Sequence, residues 1–103
     1  MTNEALDNHR KQAVRLLKAL ANEHRLSILC TLRSGEVSVS ELVKSLPLSQ
    51  SALSQHLAWL RGEQLVAPRR EAQTVYYRLN NDQAERIIQV LNDLYCEQQA
   101  DVN

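Results

Sequence analysis

Residues 48–60 read Leu-Ser-Gln-Ser-Ala-Leu-Ser-Gln-His-Leu-Ala-Trp-Leu, and this run limits the possible folds more than any other part of the chain. Leu53, Leu57 and Leu60 recur at i, i+4 and i+7, the spacing of one buried stripe on an α-helix. Gln50, Ser51, Ser54, Gln55 and Ala58 fall on the opposite side. That side is small, uncharged and rich in hydrogen-bonding groups, where a merely solvated helix would carry Lys and Glu. Such a helix needs a core behind it and a polar partner in front of it.

The flanks supply both. Ser38 and Glu41 form an S-x-x-E capping box that opens a helix over 39–46, with Val39, Leu42, Val43 and Leu46 inward. Pro47 ends that helix, and Ser49 caps the next, which runs to Gly62. Two helices joined by a tight turn make a helix-turn-helix over 39–62. Short hydroxyl and amide side chains on the second helix suit the DNA major groove, where base edges present donors and acceptors. Strands over 65–70 and 74–79 then flank Glu71-Ala72-Gln73, and Val75, Tyr76 and Tyr77 have strong strand preference. A hairpin in this place, 65–79, is a wing. Tyr76 and Tyr77 point to opposite faces, so one packs on the core.

Upstream, a helix spans 4–21, with Leu6, Ala13, Leu17 and Leu20 on one side and Leu16 beside them. Asn22 caps a second helix over 23–32, which Gly35 closes. Downstream, Asn80 or Asn81 caps a last helix over 82–98, carrying Ile87, Ile88, Val90, Leu91, Leu94 and Tyr95. The expected fold is mainly α with a β-hairpin, a winged helix-turn-helix in the order α-α-α-α-β-β-α. It forms one domain over 1–103.

A 103-residue chain buries a limited core. Sharing apolar faces in a dimer would extend it, and helices 4–21 and 82–98 are the expected dimer surface. The alternative is that both helices simply close the monomer core. The 12 basic and 12 acidic residues cancel but are unevenly placed. Residues 1–46 carry 7 basic and 5 acidic groups, residues 47–79 carry 4 and 2, and residues 80–103 carry 1 and 5. The reading half is positive and the tail negative, which excludes a uniform polycation. With no membrane-length apolar run and no signal-peptide pattern, the expected location is cytoplasmic.

Ser51, Ser54 and Gln55 are the expected base readers, with Gln50 beside them. Ser49 caps the helix and touches phosphate, and Arg61 reaches the backbone. In the wing, Arg70 and Gln73 are expected at phosphate or the minor groove, while Arg69 and Arg78 are more simply a solvated hairpin face. Trp59 belongs to the core or braces the wing. No catalytic constellation and no cofactor motif is present, so an enzyme is not expected. His9, His24 and His56 lie on different helices, and a soft-metal site needs clustered thiolates or imidazoles, so no metal site is expected. Cys30 fits a small buried hydrophobe, whereas Cys96, near a helix end, is harder to place in a core.

Taken together, Leu20-Ala21-Asn22-Glu23-His24-Arg25-Leu26-Ser27-Ile28-Leu29, Ser40-Glu41-Leu42, the 48–60 run and Val75-Tyr76-Tyr77-Arg78-Leu79 resemble the ArsR family of winged-helix repressors. The resemblance covers about residues 10–96. It implies a homodimer that binds double-stranded DNA at an inverted-repeat operator, with helix 4 in the major groove. Metal-sensing relatives carry Cys in the third helix, where this chain reads Glu41-Leu42-Val43-Lys44-Ser45-Leu46. Others use Asp, His and Glu on the last helix, which here has no His. Cys30 in helix 2 and Cys96 in the last helix are instead similar to the thiol-based branch, the BigR- and HlyU-like proteins. Glu71-Ala72-Gln73-Thr74-Val75-Tyr76-Tyr77 and Ala58-Trp59-Leu60 are similar to the same branch. Many other members have Gly in the wing turn, and this chain does not. The implied function is transcriptional regulation switched by a disulfide or polysulfide between Cys30 and Cys96. The competing readings are a metal-responsive repressor with an unusual site at the two cysteines, and a winged helix that binds only proteins. A thiol enzyme has little support without a C-x-x-C pair.

Overall fold

A computed structural model describes residues 3–96, with Cys96 described by its backbone. The chain forms α1 (Asn3–Leu20), α2 (Glu23–Thr31), a 3-10 turn (Leu32–Ser34), β1 (Val37–Ser38), α3 (Val39–Ser45) and α4 (Gln50–Gly62). It continues through β2 (Val66–Glu71), β3 (Thr74–Leu79), α5 (Asp82–Leu91) and π-helical turns over Asn92–Cys96. This is the expected winged helix-turn-helix, with one strand more than expected.

Side-chain caps set the helix starts. Asn22 Oδ1 accepts from the amides of His24 and Arg25 at 3.0 and 3.1 Å. Ser38 Oγ accepts from the Glu41 amide at 3.2 Å, and Ser49 Oγ from the Ala52 amide at 3.1 Å. At α5 the cap is Asn81, whose Oδ1 accepts from the Ala84 amide at 2.8 Å. Each cap satisfies a helix N–H that has no partner within the helix. The end of α4 is less obvious. Gly62 is its last helical residue, but the left-handed position falls on Gln64, at φ 63°. The Gln64 amide donates to Arg61 O at 2.9 Å and the Leu65 amide to Leu60 O at 3.0 Å, a paired closure of the last turn.

The additional strand is β1. Val37 and Ser38 pair antiparallel with Tyr77 and Tyr76, giving a three-stranded sheet in the order β1-β3-β2. Ser38 is thus both the last strand residue and the cap of α3, so the helix leaves the sheet without a loop. A two-residue strand is too short for alternation to register in sequence. The last helix also departs from expectation, since α5 stops at Leu91 and π turns follow. Residues 97–98 of the expected helix lie outside the described residues.

Ile28, Leu29 and Leu32 meet Leu42, Leu53, Leu57, Leu60, Val66 and Ile88 in one core, all essentially buried. Burying each side chain of this size stabilises by about 1.5–3 kcal/mol. Tyr77 packs against this core, as one of the two tyrosines must. The outer helices behave differently. On α1 only Ala19 and Leu20 are buried, and Leu17 is 60% exposed. On α5 Ala84 and Ile88 face inward, while Ile87 and Val90 stay exposed, as do Leu94 and Tyr95 beyond it. Most of the apolar stripe of these helices is therefore not spent on the core of one chain. Among the described residues no helix is long and apolar enough to cross a membrane.

Candidate nucleic-acid interface

The inward stripe Leu53, Leu57 and Leu60 clamps α4 onto the core. That clamp leaves Gln50, Ser51, Ser54, Gln55 and Ala58 exposed on one side. Among the described residues, the polar side chains of this set make no hydrogen bond to the protein, so their donors and acceptors are available. Ser49 is exposed too, but its oxygen is committed to the cap. The first turn of α4 carries no acidic residue, so its positive dipole end is not neutralised locally. Ser54, Ala58 and Arg61 form one wall of an open cleft of about 500 Å³, with Val75 and Tyr77 of β3 opposite. The helix and the wing thus face a common groove.

Register sorts the wing cations. Arg70 pairs with Val75 across the hairpin and Arg69 with Tyr76. Directly paired residues share a face, and successive residues alternate. Arg70 therefore shares the Val75 face, towards α4, whereas Arg69 is on the other face. There Arg69 is fully engaged. Its Nε lies 2.9 Å from Glu36 Oε2, its Nη2 3.0 Å from Glu36 Oε1, and its Nη1 3.0 Å from Glu71 Oε2. Its guanidinium sits 4.7 Å from the centre of the Tyr76 ring. The hydrogen bond from Arg69 holds the Glu36 carboxyl below the usual carboxylate range, and the same bond raises Arg69 further. Arg78 donates to Asn80 at 3.0 Å. Among the described residues Arg61 and Arg70 make no ion pair. Gln73 is exposed at the wing tip, next to Ala72 at φ 55° in the left-handed region.

The junction of α2 and α4 holds contacts that sequence spacing does not reveal. Trp59 lies outside the buried core. It is 41% exposed, with the Arg25 guanidinium 4.1 Å over its ring. Arg25 is itself fixed by donating to Ala19 O and Lys18 O at 3.1 and 2.9 Å. His24 and His56, expected on separate helices, face each other across this junction. No local signal links two residues so far apart in the chain.

Cys30 is half-buried on α2 and packs against the core. The side chain of Cys96 lies outside the described residues, and so does any contact between the two thiols. Arg33, three residues after Cys30, donates to Gln89 Oε1 at 2.9 Å and ties the 3-10 turn that follows α2 to α5. Among the described residues no three His, Cys, Asp or Glu side chains cluster to hold a metal.

The profile described as "Bacterial regulatory protein, arsR family" matches residues 22–67. The chain is 53% identical over 97 residues to the transcriptional activator HlyU of Vibrio cholerae serotype O1, spanning 94% of this chain and 90% of the relative. A structure of reduced HlyU from Vibrio cholerae N16961 superposes with a TM-score of 0.86 at 54% identity, covering 90% of this chain and 98% of that one. The biofilm growth-associated repressor of Agrobacterium fabrum is 42% identical over 92 residues, covering 89% of this chain and 79% of the relative. A homodimeric winged helix-turn-helix DNA-binding domain from Mycobacterium bovis matches with a TM-score of 0.79 at 28% identity, covering 96% of this chain and 91% of that one. These relatives are regulators, not enzymes. With a helix-turn-helix whose second helix shares a groove with the wing, and kinship along nearly its whole length, the chain belongs to the ArsR family of DNA-binding transcriptional regulators.

Proposed function

We propose that the chain acts as a cytoplasmic homodimer that reads an inverted-repeat operator and is released from it by linkage of Cys30 and Cys96. The observation that carries the DNA reading is the outward face of α4, exposed, uncharged and without protein partners. Ser51, Ser54, Gln55 and Gln50 read bases, Ser49 and Arg61 meet phosphate, and Arg70 and Gln73 follow the backbone or minor groove from the wing. Dimerisation is supported by the exposed apolar residues of α1 and α5 and by the homodimeric relative. Two-fold proteins match two-fold sites, with half-sites about one helical turn apart.

The switch is supported by the thiols on α2 and at the end of the π turns, and by a relative solved in a form described as reduced. One thiolate attacks the sulfane sulfur of a low-molecular-weight persulfide, giving a protein persulfide and the donor's thiol. The second thiol then displaces hydrogen sulfide and closes a disulfide, the sulfane sulfur taking up the two electrons. A bond between α2 and the element following α5 shifts the dimer surface and the spacing of the two α4 helices. Intact mass and peptide mapping before and after a persulfide donor test this. A Cys30–Cys96 link within one chain, accompanied by lost DNA affinity, is the expected result. Two thiols that stay unlinked, or a link that leaves affinity unchanged, would reject the switch and leave the DNA reading standing.

A further inference from the structure

The wing carries two adjacent arginines with opposite fates, and the difference lies in their carboxylate partners. Arg70 shares the Val75 face, beside the α4 groove, and pairs with no acid among the described residues. Arg69 is on the other face, forked onto Glu36, bonded to Glu71 and laid on Tyr76. Glu36 comes from the loop before β1, not from the hairpin, so it is a partner brought in by tertiary folding. A guanidinium held by two carboxylates carries no net positive charge outward and cannot release a DNA counterion without first breaking those bonds.

We propose that Glu36 is a specificity-determining residue that keeps Arg69 out of phosphate contact, so that Arg70 and Gln73, without Arg69, carry the wing's contact with DNA. Phosphate contacts add affinity for every sequence equally, whereas base contacts discriminate. Withholding one wing cation lowers the affinity for arbitrary DNA while leaving base reading by α4 intact. The inference rests on the proposed placement of the wing at the DNA backbone.

The test titrates a short mixed-sequence duplex with wild type, Glu36→Gln, Arg69→Gln and the double variant over a range of salt concentrations, with thermal melts to check folding. Glu36→Gln is expected to bind this duplex several-fold more tightly at low salt. Its salt dependence, log K against log[salt], should steepen by about 0.9 per protomer. The double variant should return to the wild-type slope, and Arg69→Gln alone should leave that slope unchanged. A gain that persists in the double variant would mean that relieved repulsion, not Arg69, is responsible, and would overturn the proposal. So would a lower slope in Arg69→Gln alone, which places Arg69 on phosphate already, or weaker binding by Glu36→Gln, which makes the clamp a brace. A wild type without salt-dependent binding would refute the DNA placement itself and the proposal with it.

Discussion

The imidazoles of His24 on α2 and His56 on α4 lie 5.7 Å apart, centre to centre, with their planes inclined by 45°. Burial first, then the neighbouring His24 and the Arg25 guanidinium, hold the His56 pKa below its ordinary value. The folded protein therefore resists protonation at His56 more than the unfolded chain does. Its stability is complete above the unfolded imidazole value of about 6.5 and is lost as pH falls from there through the folded value. The melting temperature should fall as pH drops below about 6.5, and His56→Gln should flatten that part of the profile. Parallel decline in both proteins would show that the pair is not responsible.

Gln64 closes α4 in the left-handed region, a conformation that costs a non-glycine residue about 1–2 kcal/mol. Gln64→Gly keeps the two closing backbone bonds and removes the clash of Cβ with the carbonyl. It should stabilise by about 1 kcal/mol, or about 4–8 °C in the melting temperature. Differential scanning calorimetry measures this, and a destabilised variant would mean that the Gln64 side chain makes contributions beyond its backbone.

The two faces of α4 predict opposite phenotypes for neighbouring positions. Leu57→Ala opens a cavity in the core and should cost about 2–5 kcal/mol of stability. Gln55→Ala should change stability by less than about 0.5 kcal/mol, while weakening operator binding by about 1–3 kcal/mol. Urea melts and fluorescence anisotropy separate the two effects. Equal loss of stability in both variants would contradict the assignment of faces.

If α1 and α5 pair between chains, a charge on their exposed apolar surface should dissociate the dimer without unfolding the protomer. Leu17 is 60% exposed in the single chain, so Leu17→Glu removes nothing from its core. Sedimentation should show a dimer for wild type and a monomer for Leu17→Glu, with helical content preserved. A wild-type monomer at high concentration would refute the pairing.

Residues with a periodic or capping role were legible in the sequence. Leu53, Leu57 and Leu60 repeat at helical spacing, and Asn22, Ser38 and Ser49 stand just before apolar stripes, so α2, α3 and α4 start where the caps predict. Ser51, Ser54 and Gln55 lie on a side of α4 that lacks the charges of a solvated helix, and that side is exposed, as the Leu53, Leu57 and Leu60 spacing requires. Features that depend on tertiary pairing were not legible. Val37 and Ser38 become a strand only because β3 lies beside them. Arg69 looks equivalent to Arg70 until Glu36 folds against it. Trp59 looks like core until Arg25 is found over its exposed ring. The π turns after Leu91 keep an apolar pattern that residue spacing cannot distinguish from a continuing α-helix.

The most direct test of the account is selection of bound sequences from a randomised duplex pool by the reduced protein, at a salt concentration that suppresses nonspecific binding. The account predicts enrichment of an inverted repeat with half-sites about one helical turn apart, and a motif from Gln55→Ala that has lost its preference at the base Gln55 reads. Enrichment of no common motif by wild type, or of the same motif by wild type and Gln55→Ala alike, would contradict the claim that the outward face of α4 reads DNA.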